Sequence, residues 1–195
     1  MLYPANREEI EKLPVDFLGF IFYPGSKRYV GKDSDRRLFN SLKNKVGVFV
    51  DESYDEILSL SQRNGFKFVQ LHGKEDPSVC RILKKNGLKV IKAFSLNKDF
   101  RFRILKDYES AVDYFLFDTK TRVHGGSGKK FDWDILEKYK ESTPFFLSGG
   151  IKPDDASKIK QIDYPWLYGI DLNSGFEDEP GLKNVDLLKK FLDEL

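Results

Sequence analysis

The sequence predicts a parallel α/β fold, a (β/α)8 TIM barrel whose first strand is missing from this chain. Short apolar segments alternate with amphipathic ones along all 195 residues, and no Pro- or Ser-rich linker or change of composition divides them. Segments that are apolar on both faces and separated by helices indicate parallel strands joined by crossovers. One barrel domain spanning residues 1–195 is therefore expected.

Apolar segments of the buried-strand type recur seven times. Each has the length of a strand rather than of a helix, and polar or glycine-containing turns follow it. In chain order they are residues 15–23, 45–50, 66–71, 88–94, 112–117, 144–149 and 166–171. They predict seven parallel strands.

Amphipathic segments predict eight helices, the first of which precedes all the strands. They are residues 6–13, 33–42, 53–63, 77–86, 99–108, 132–139, 154–161 and 185–195. Asn6 is the predicted N-cap of the first helix, and Gly87 ends the fourth. A doubly wound open sheet could hold seven strands, whereas a (β/α)8 barrel needs eight. Seven strand–helix pairs after an additional helix favour a barrel without its first strand.

Composition argues against several classes of partner. The chain has 33 Lys and Arg against 31 Asp and Glu, a formal charge of +2, with both signs interspersed, so no nucleic-acid partner is expected. One cysteine and two histidines exclude a disulfide framework and argue against a metal site. The longest apolar run, residues 17–23, is too short to cross a bilayer, and the acidic N-terminal segment does not resemble a signal peptide. These features predict a soluble, cytoplasmic protein that neither spans a membrane nor holds a metal through Cys or His.

Loops rich in glycine and serine follow three of the later predicted strands. Ligands of parallel α/β folds bind at the C-terminal ends of the strands, and late barrel loops commonly bind phosphate. Glycine lets backbone N–H groups approach an anion closely. Each loop alone could be an ordinary turn, but three together predict a phosphate site. The loops contain Gly125–Gly128, Gly149–Gly150 and Ser174–Gly175.

Two aspartates stand at predicted strand ends. Asp118 ends an apolar strand and could act as a general acid, because partial burial can raise a carboxyl pKa. It could equally cap a helix or pair with Lys120 or Arg122. Asp171 could orient a substrate hydroxyl or satisfy backbone donors of the NSG turn.

The basic residues and the cysteine also have ordinary structural explanations beside functional ones. Arg28 could form a bidentate pair with a substrate carboxylate, although a surface arginine is the commoner case. His72 follows a strand directly and could contact a ligand or anchor its loop. His124 falls in a loop. Cys80 stands among apolar residues of a predicted helix, which predicts core packing rather than a nucleophile.

The motifs GFIFYPGSKRYV, VGVFVDE, VQLHGKE, DTKT…GGSGKKFDW, LSGGI and D-x-NSG…PG run in order along nearly the whole chain. In this respect the chain resembles the phosphoribosylanthranilate isomerases of tryptophan biosynthesis. The resemblance implies a single-domain barrel without metal or cofactor, a phosphorylated small-molecule substrate and a monomer or homodimer. It implies an acid–base Amadori rearrangement of N-(5-phosphoribosyl)anthranilate to 1-(o-carboxyphenylamino)-1-deoxyribulose 5-phosphate.

The resemblance also assigns roles to residues. It implies Asp118 as the general acid, Arg28 as the group that binds the anthranilate carboxylate, and His72 and Asp171 as substrate-binding residues. The implied phosphate-binding residues are Gly126, Ser127, Gly128, Gly149, Gly150, Ser174 and Gly175.

One family feature is absent from the printed sequence. The family's general base is a cysteine in a K-x-C-G motif that ends the first strand, and no such motif occurs here. Our hypothesis is that Met1 is an internal methionine and that the natural protein starts about eight residues earlier, one strand length. We expect little turnover from the chain as printed. We also expect a marginally stable or oligomeric protein, because a barrel without one strand exposes two sheet edges.

Other functions stay open on the sequence alone. Another phosphate-binding barrel enzyme is one alternative. Indoleglycerol-phosphate synthases normally have Lys and Glu at strand ends, and ribulose-phosphate epimerases need metal ligands that this chain lacks. A non-catalytic barrel that binds a phosphorylated sugar is the other alternative, and it differs from the isomerase in having no general base.

Overall fold

A computed structural model describes residues 1–118 and 133–195. Within these residues seven parallel strands pair in chain order, each with the next. Their bounds are β1 (Phe17–Ile21), β2 (Asn44–Phe49), β3 (Phe68–Leu71), β4 (Lys89–Ser95), β5 (Tyr114–Asp118), β6 (Phe145–Ser148) and β7 (Leu167–Ile170). The seven predicted strands are confirmed.

The sheet curls into a barrel, as the short distances between its two outer ends show. Six inter-strand spacings of ~4.8 Å would separate β1 from β7 by ~29 Å in a flat sheet. Instead, the ring centroid of Phe17 in β1 lies 5.5 Å from that of Phe146 and 6.4 Å from that of Tyr168. Val46, Ile91 and Leu116 share a buried cluster with Phe146. Of the two folds that seven strands allow, this curvature supports the barrel and excludes the open doubly wound sheet.

Within residues 1–118 and 133–195, five α-helices and several 3-10 helices pack outside the sheet. The α-helices are α1 (Pro4–Glu11), α2 (Tyr54–Asn64), α3 (Pro77–Lys85), α4 (Ala156–Lys160) and α5 (Val185–Glu194). None of the helices in the described residues is long and apolar enough to cross a membrane. Three predicted helices are 3-10 helices instead, at Arg36–Phe39, Phe102–Asp107 and Trp133–Lys138. In the first of these, one turn already buries Leu38 and Phe39, whereas Leu42 is fully exposed, so a longer helix would bury nothing more.

The structure corrects the prediction for Asn6 and adds a hairpin. The helix α1 begins at Pro4, so Asn6 lies inside it. Its side-chain amide donates to the carbonyl of Lys183 and accepts from the N–H of the same residue, each at 2.8 Å. Lys183 belongs to an antiparallel hairpin, β8 (Glu177–Glu179) and β9 (Leu182–Lys183), in a segment whose sequence predicts only a loop. Asn6 therefore fastens the first helix to this hairpin.

Candidate active site at the barrel mouth

His72 and Asp118 meet at the C-terminal ends of the strands. Asp118 ends β5 and is 5% exposed, and His72 follows β3 directly. Nε2 of His72 lies 3.4 Å from Oδ2 of Asp118. The side-chain amide nitrogen of Gln70 lies 2.9 Å from Nδ1 of His72; when it donates to Nδ1, Nε2 is the ring nitrogen that carries a proton. The pair combines a buried carboxyl group with an oriented N–H donor.

A buried ion pair fixes the loop that carries His72. Nζ of Lys92 in β4 donates to the carbonyls of Leu71 and Gly73 at 3.2 and 2.8 Å, and it pairs with Glu75 at 3.1 Å. The side chains of Lys92 and Glu75 are only 2% and 3% exposed. Glu75 also accepts from the backbone N–H of Asp51 at 2.8 Å, which joins the loops after β2 and β3. Lys92 thus fixes the backbone on both sides of His72, at Leu71 and at Gly73.

Arg28 lies in the loop after β1 and pairs with Glu177 of the hairpin. Nε of Arg28 donates to Oε1 and Oε2 of Glu177 at 3.0 and 2.8 Å, and Nη2 donates to Oε2 at 2.5 Å. Lys183 donates to Oε1 of Glu177 at 3.1 Å and to Asn173 at 2.9 Å. Burial alone would raise the pKa of Glu177, but Arg28 and Lys183 outweigh it and hold that pKa below its ordinary value of 4.5.

This carboxyl predicts an acid-sensitive contribution to stability. Because the pKa of Glu177 is lower in the folded protein than in the unfolded chain, its contribution is complete above pH 4.5 and is lost as the pH falls through the folded value. We expect Glu177→Gln to reduce the dependence of the free energy of unfolding on pH below 4.5, measured by urea denaturation. Glu179→Gln, which removes an exposed carboxyl of the same hairpin, should leave that dependence nearly unchanged. An identical acid dependence in Glu177→Gln and the unaltered protein would contradict this account.

The loops after β6 and β7 contact each other. The hydroxyl of Ser148 donates to Oδ2 of Asp171 at 2.8 Å, so Asp171 accepts from a side chain of β6. Gly149 and Gly150 have φ values of 89° and 69°, a backbone conformation that favours glycine. A Cβ atom on Gly175 would lie 2.4 Å from the carbonyl oxygen of Ile151, so only glycine fits at this contact. Gly126, Ser127 and Gly128, with Lys120, Arg122 and His124, lie outside the described residues.

These groups line a continuous rim around the barrel mouth. Asp118 and Ser148 are register partners in neighbouring strands, and Ser148 contacts Asp171. The charges of Asp171 and Arg28 both act on Lys183. The predicted site residues His72, Asp118, Asp171 and Arg28 therefore belong to one end of the barrel. No cluster of three or more His, Cys, Asp or Glu that could hold a metal occurs in residues 1–118 and 133–195.

Comparisons with known proteins identify the family. The family model of N-(5'-phosphoribosyl)anthranilate (PRA) isomerase matches residues 4–194. The chain belongs to this family. The N-(5'-phosphoribosyl)anthranilate isomerase of Parabacteroides distasonis is 44% identical over 199 residues, covering 100% of this chain and 90% of that protein.

Solved structures of the PRA isomerase family share the fold. One is the crystal structure of mutually generated monomers of the dimeric isomerase from Thermotoga maritima, which is 27% identical with a TM-score of 0.83. Another is a PRA isomerase in complex with reduced 1-(o-carboxyphenylamino)-1-deoxyribulose 5-phosphate, called rCdRP below, which is 28% identical with a TM-score of 0.81. Each comparison covers 100% of this chain and 94% of the other.

Cys80 does not stand where a PRA isomerase base is expected. It is fully buried in α3, on the outer side of the barrel, as the sequence analysis expected. Burial raises the pKa of its thiol to about 11, so the thiolate is scarce at neutral pH. Cys80 is therefore a core residue.

The sequence did not predict a role at the barrel mouth for three polar residues. Gln70 and Lys92 lie inside apolar strands, where the pattern indicated only burial. Glu177 follows the NSG turn, and its partner Arg28 is 149 residues away. For Gln70 and Lys92, a polar side chain in an otherwise apolar strand is itself a signal, because such groups require hydrogen-bond partners.

Proposed function

We propose that this chain catalyses the rearrangement of N-(5'-phosphoribosyl)anthranilate to 1-(o-carboxyphenylamino)-1-deoxyribulose 5-phosphate, an aldose–ketose isomerisation in tryptophan biosynthesis. The observation that carries the proposal is the buried Asp118 beside the oriented His72 at the barrel mouth of a PRA isomerase family member. The substrate has a ring oxygen that must gain a proton and a C2 atom that must lose one.

Asp118 is the proposed general acid. Its proton goes to the ring oxygen of the sugar, the bond between that oxygen and C1 breaks, and the anthranilate nitrogen supplies the electrons for a protonated Schiff base. A base then removes the C2 proton to give an enolamine, which takes a proton at C1, loses the proton of its C2 hydroxyl and becomes the ketone. Asp118 is 5% exposed, so its carboxyl group is largely shielded from bulk water.

Arg28, His72 and Asp171 are the proposed substrate-binding residues. The planar, positively charged guanidinium of Arg28 matches the planar anthranilate carboxylate. Nε2–H of His72 can donate to a sugar oxygen next to Asp118, and Asp171 can accept from a sugar hydroxyl.

The loops after β6 and β7 form the described part of the proposed phosphate site. The left-handed backbone at Gly149 and Gly150 and the close contact of Gly175 support this role, because such turns can expose several N–H groups to one anion. Ser174 adds a hydroxyl donor. Gly126, Ser127 and Gly128 complete the proposed set from outside the described residues.

Partners and location follow from the chemistry of the reaction. The isomerisation only moves protons and electron pairs within one molecule, so we propose that it needs no metal or cofactor. We propose a cytoplasmic protein that is a monomer or a homodimer and that binds no nucleic acid, which the interspersed charges support.

Two measurements on the chain as printed test the function. We expect rCdRP to bind in a fluorescence titration, and we expect the anthranilate fluorescence of added substrate to change slowly, since no cysteine occupies the base position. Absence of rCdRP binding would contradict the proposal. Substantial turnover would show that another residue or water acts as the base.

One observation favours a second function, a barrel that binds the phosphorylated sugar without catalysis. The single cysteine of the printed sequence, Cys80, is buried away from the mouth. This function predicts rCdRP binding with no turnover under any condition, including after a cysteine is supplied.

A further inference from the structure

We propose that Glu177 is a positioning residue that orients Arg28 so that one edge of its guanidinium faces the substrate carboxylate. The inference deepens the proposed function and rests on it. It concerns a residue that neither the sequence pattern nor the family resemblance assigned to the site.

A guanidinium offers two edges to a carboxylate. One edge consists of Nε–H with one N–H of Nη2, and the other consists of Nη1–H with the second N–H of Nη2. Glu177 occupies the first edge of Arg28, through Nε and Nη2. Within residues 1–118 and 133–195, Nη1 of Arg28 has no hydrogen bond or ion pair. The second edge therefore stays available for a second carboxylate.

Glu177 is itself held firmly in place. Its side chain is 3% exposed, and that of Arg28 is 22% exposed. Oε1 of Glu177 also accepts from Nζ of Lys183 at 3.1 Å and from the backbone N–H of Gly181 at 3.2 Å. Lys183 in turn donates to the carbonyl of Leu172, next to Asp171, at 3.2 Å. The contact thus connects the loops after β1 and β7 and fixes the direction of the guanidinium.

A competing role for Glu177 has the opposite consequence. If Glu177 occupied the place of the substrate carboxylate, removing its charge would free Arg28 and strengthen binding. The geometry favours positioning, because Glu177 is buried, has two further donors and uses the Nε edge only.

The test compares two ligands that differ in one group. These are rCdRP and its analogue with an unsubstituted phenylamino ring, titrated by fluorescence or calorimetry. We expect Glu177→Gln to weaken rCdRP binding about tenfold, the loss of one charge-assisted contact, and to change binding of the analogue less than twofold. In an Arg28→Ala background, Glu177→Gln should have no further effect on rCdRP. Glu179→Gln, in the same hairpin, is the matched control and should bind both ligands normally.

Each other outcome overturns the inference. Equal weakening for both ligands would indicate a merely structural role, tighter rCdRP binding would indicate a competitor, and unchanged binding would exclude any role. If Glu177→Gln fails to fold, judged by circular dichroism, Glu177→Asp keeps the charge but withdraws it by one methylene and should weaken rCdRP selectively. Failure of the unaltered protein to bind rCdRP would overturn the proposed function itself, a result distinct from all of these.

Discussion

Supplying a cysteine at the end of an added strand is expected to accelerate turnover by about 10²–10⁴-fold, the usual contribution of one acid–base partner. The amino group of Met1 donates to the carbonyl of Gly19 at 3.2 Å, so residues placed before Met1 would start at the outer edge of β1. The proposed change is an N-terminal extension of about eight residues, an apolar strand that ends in Cys-Gly. Turnover is measured by the change in anthranilate fluorescence.

The matched control for this experiment has the same extension with Ser-Gly in place of Cys-Gly. Both proteins should gain thermal stability, because the added strand pairs with exposed edge groups of the sheet. Only the cysteine version should gain turnover. Equal turnover in the two versions would assign the effect to the strand rather than to the thiol, and our assignment of the base would be wrong.

Replacing Asp118 by Asn in the cysteine-extended protein is expected to lower kcat by about 10²–10⁴-fold while rCdRP still binds. Asparagine keeps the shape of the side chain but cannot give a proton to the ring oxygen. The separation of kcat from affinity distinguishes loss of the acid from damage to the site. Steady-state kinetics and an rCdRP titration supply the two quantities.

A control for Asp118→Asn is Asp178→Asn, the same chemical change in the hairpin. Asp178 accepts from the side chain of Asn184 at 2.7 Å, outside the rim residues. The kcat of the Asp178→Asn variant should match that of the unaltered extended protein. A kcat for Asp118→Asn within a few-fold of that protein would remove Asp118 from the acid role.

All seven strands could be predicted from the sequence, because a strand buried on both faces is apolar at nearly every position and can be recognised from its own residues. The segment before β5, which contains Phe102 and Leu105, showed why helices were harder. It has apolar residues at helical spacing, yet it forms a 3-10 helix in which Leu105 is buried and Ile104 is 45% exposed. How many turns such a segment makes depends on how much surface its neighbours leave to cover, which spacing does not reveal.

The sequence predicts those site residues that stand at the C-terminal end of a strand. Asp118 is the last residue of β5 and His72 follows β3 directly, so the barrel topology alone brings them to the same mouth. The contact of Arg28 with Glu177 depends instead on how two loops fold back over the barrel. Asn6 illustrates the same limit, because its partner Lys183 comes from the opposite end of the chain.

The contact of Gly175 with the carbonyl of Ile151 has a consequence for engineering the barrel. The loops after β6 and β7 meet there without space for even a methyl group, so their backbones pack directly against each other. Grafting either loop alone from a relative would bring together two surfaces that were not shaped for each other. Exchange of ligand preference between barrels by loop transplantation should therefore move both loops as a pair, with residues 149–151 and 173–176 taken from the same donor.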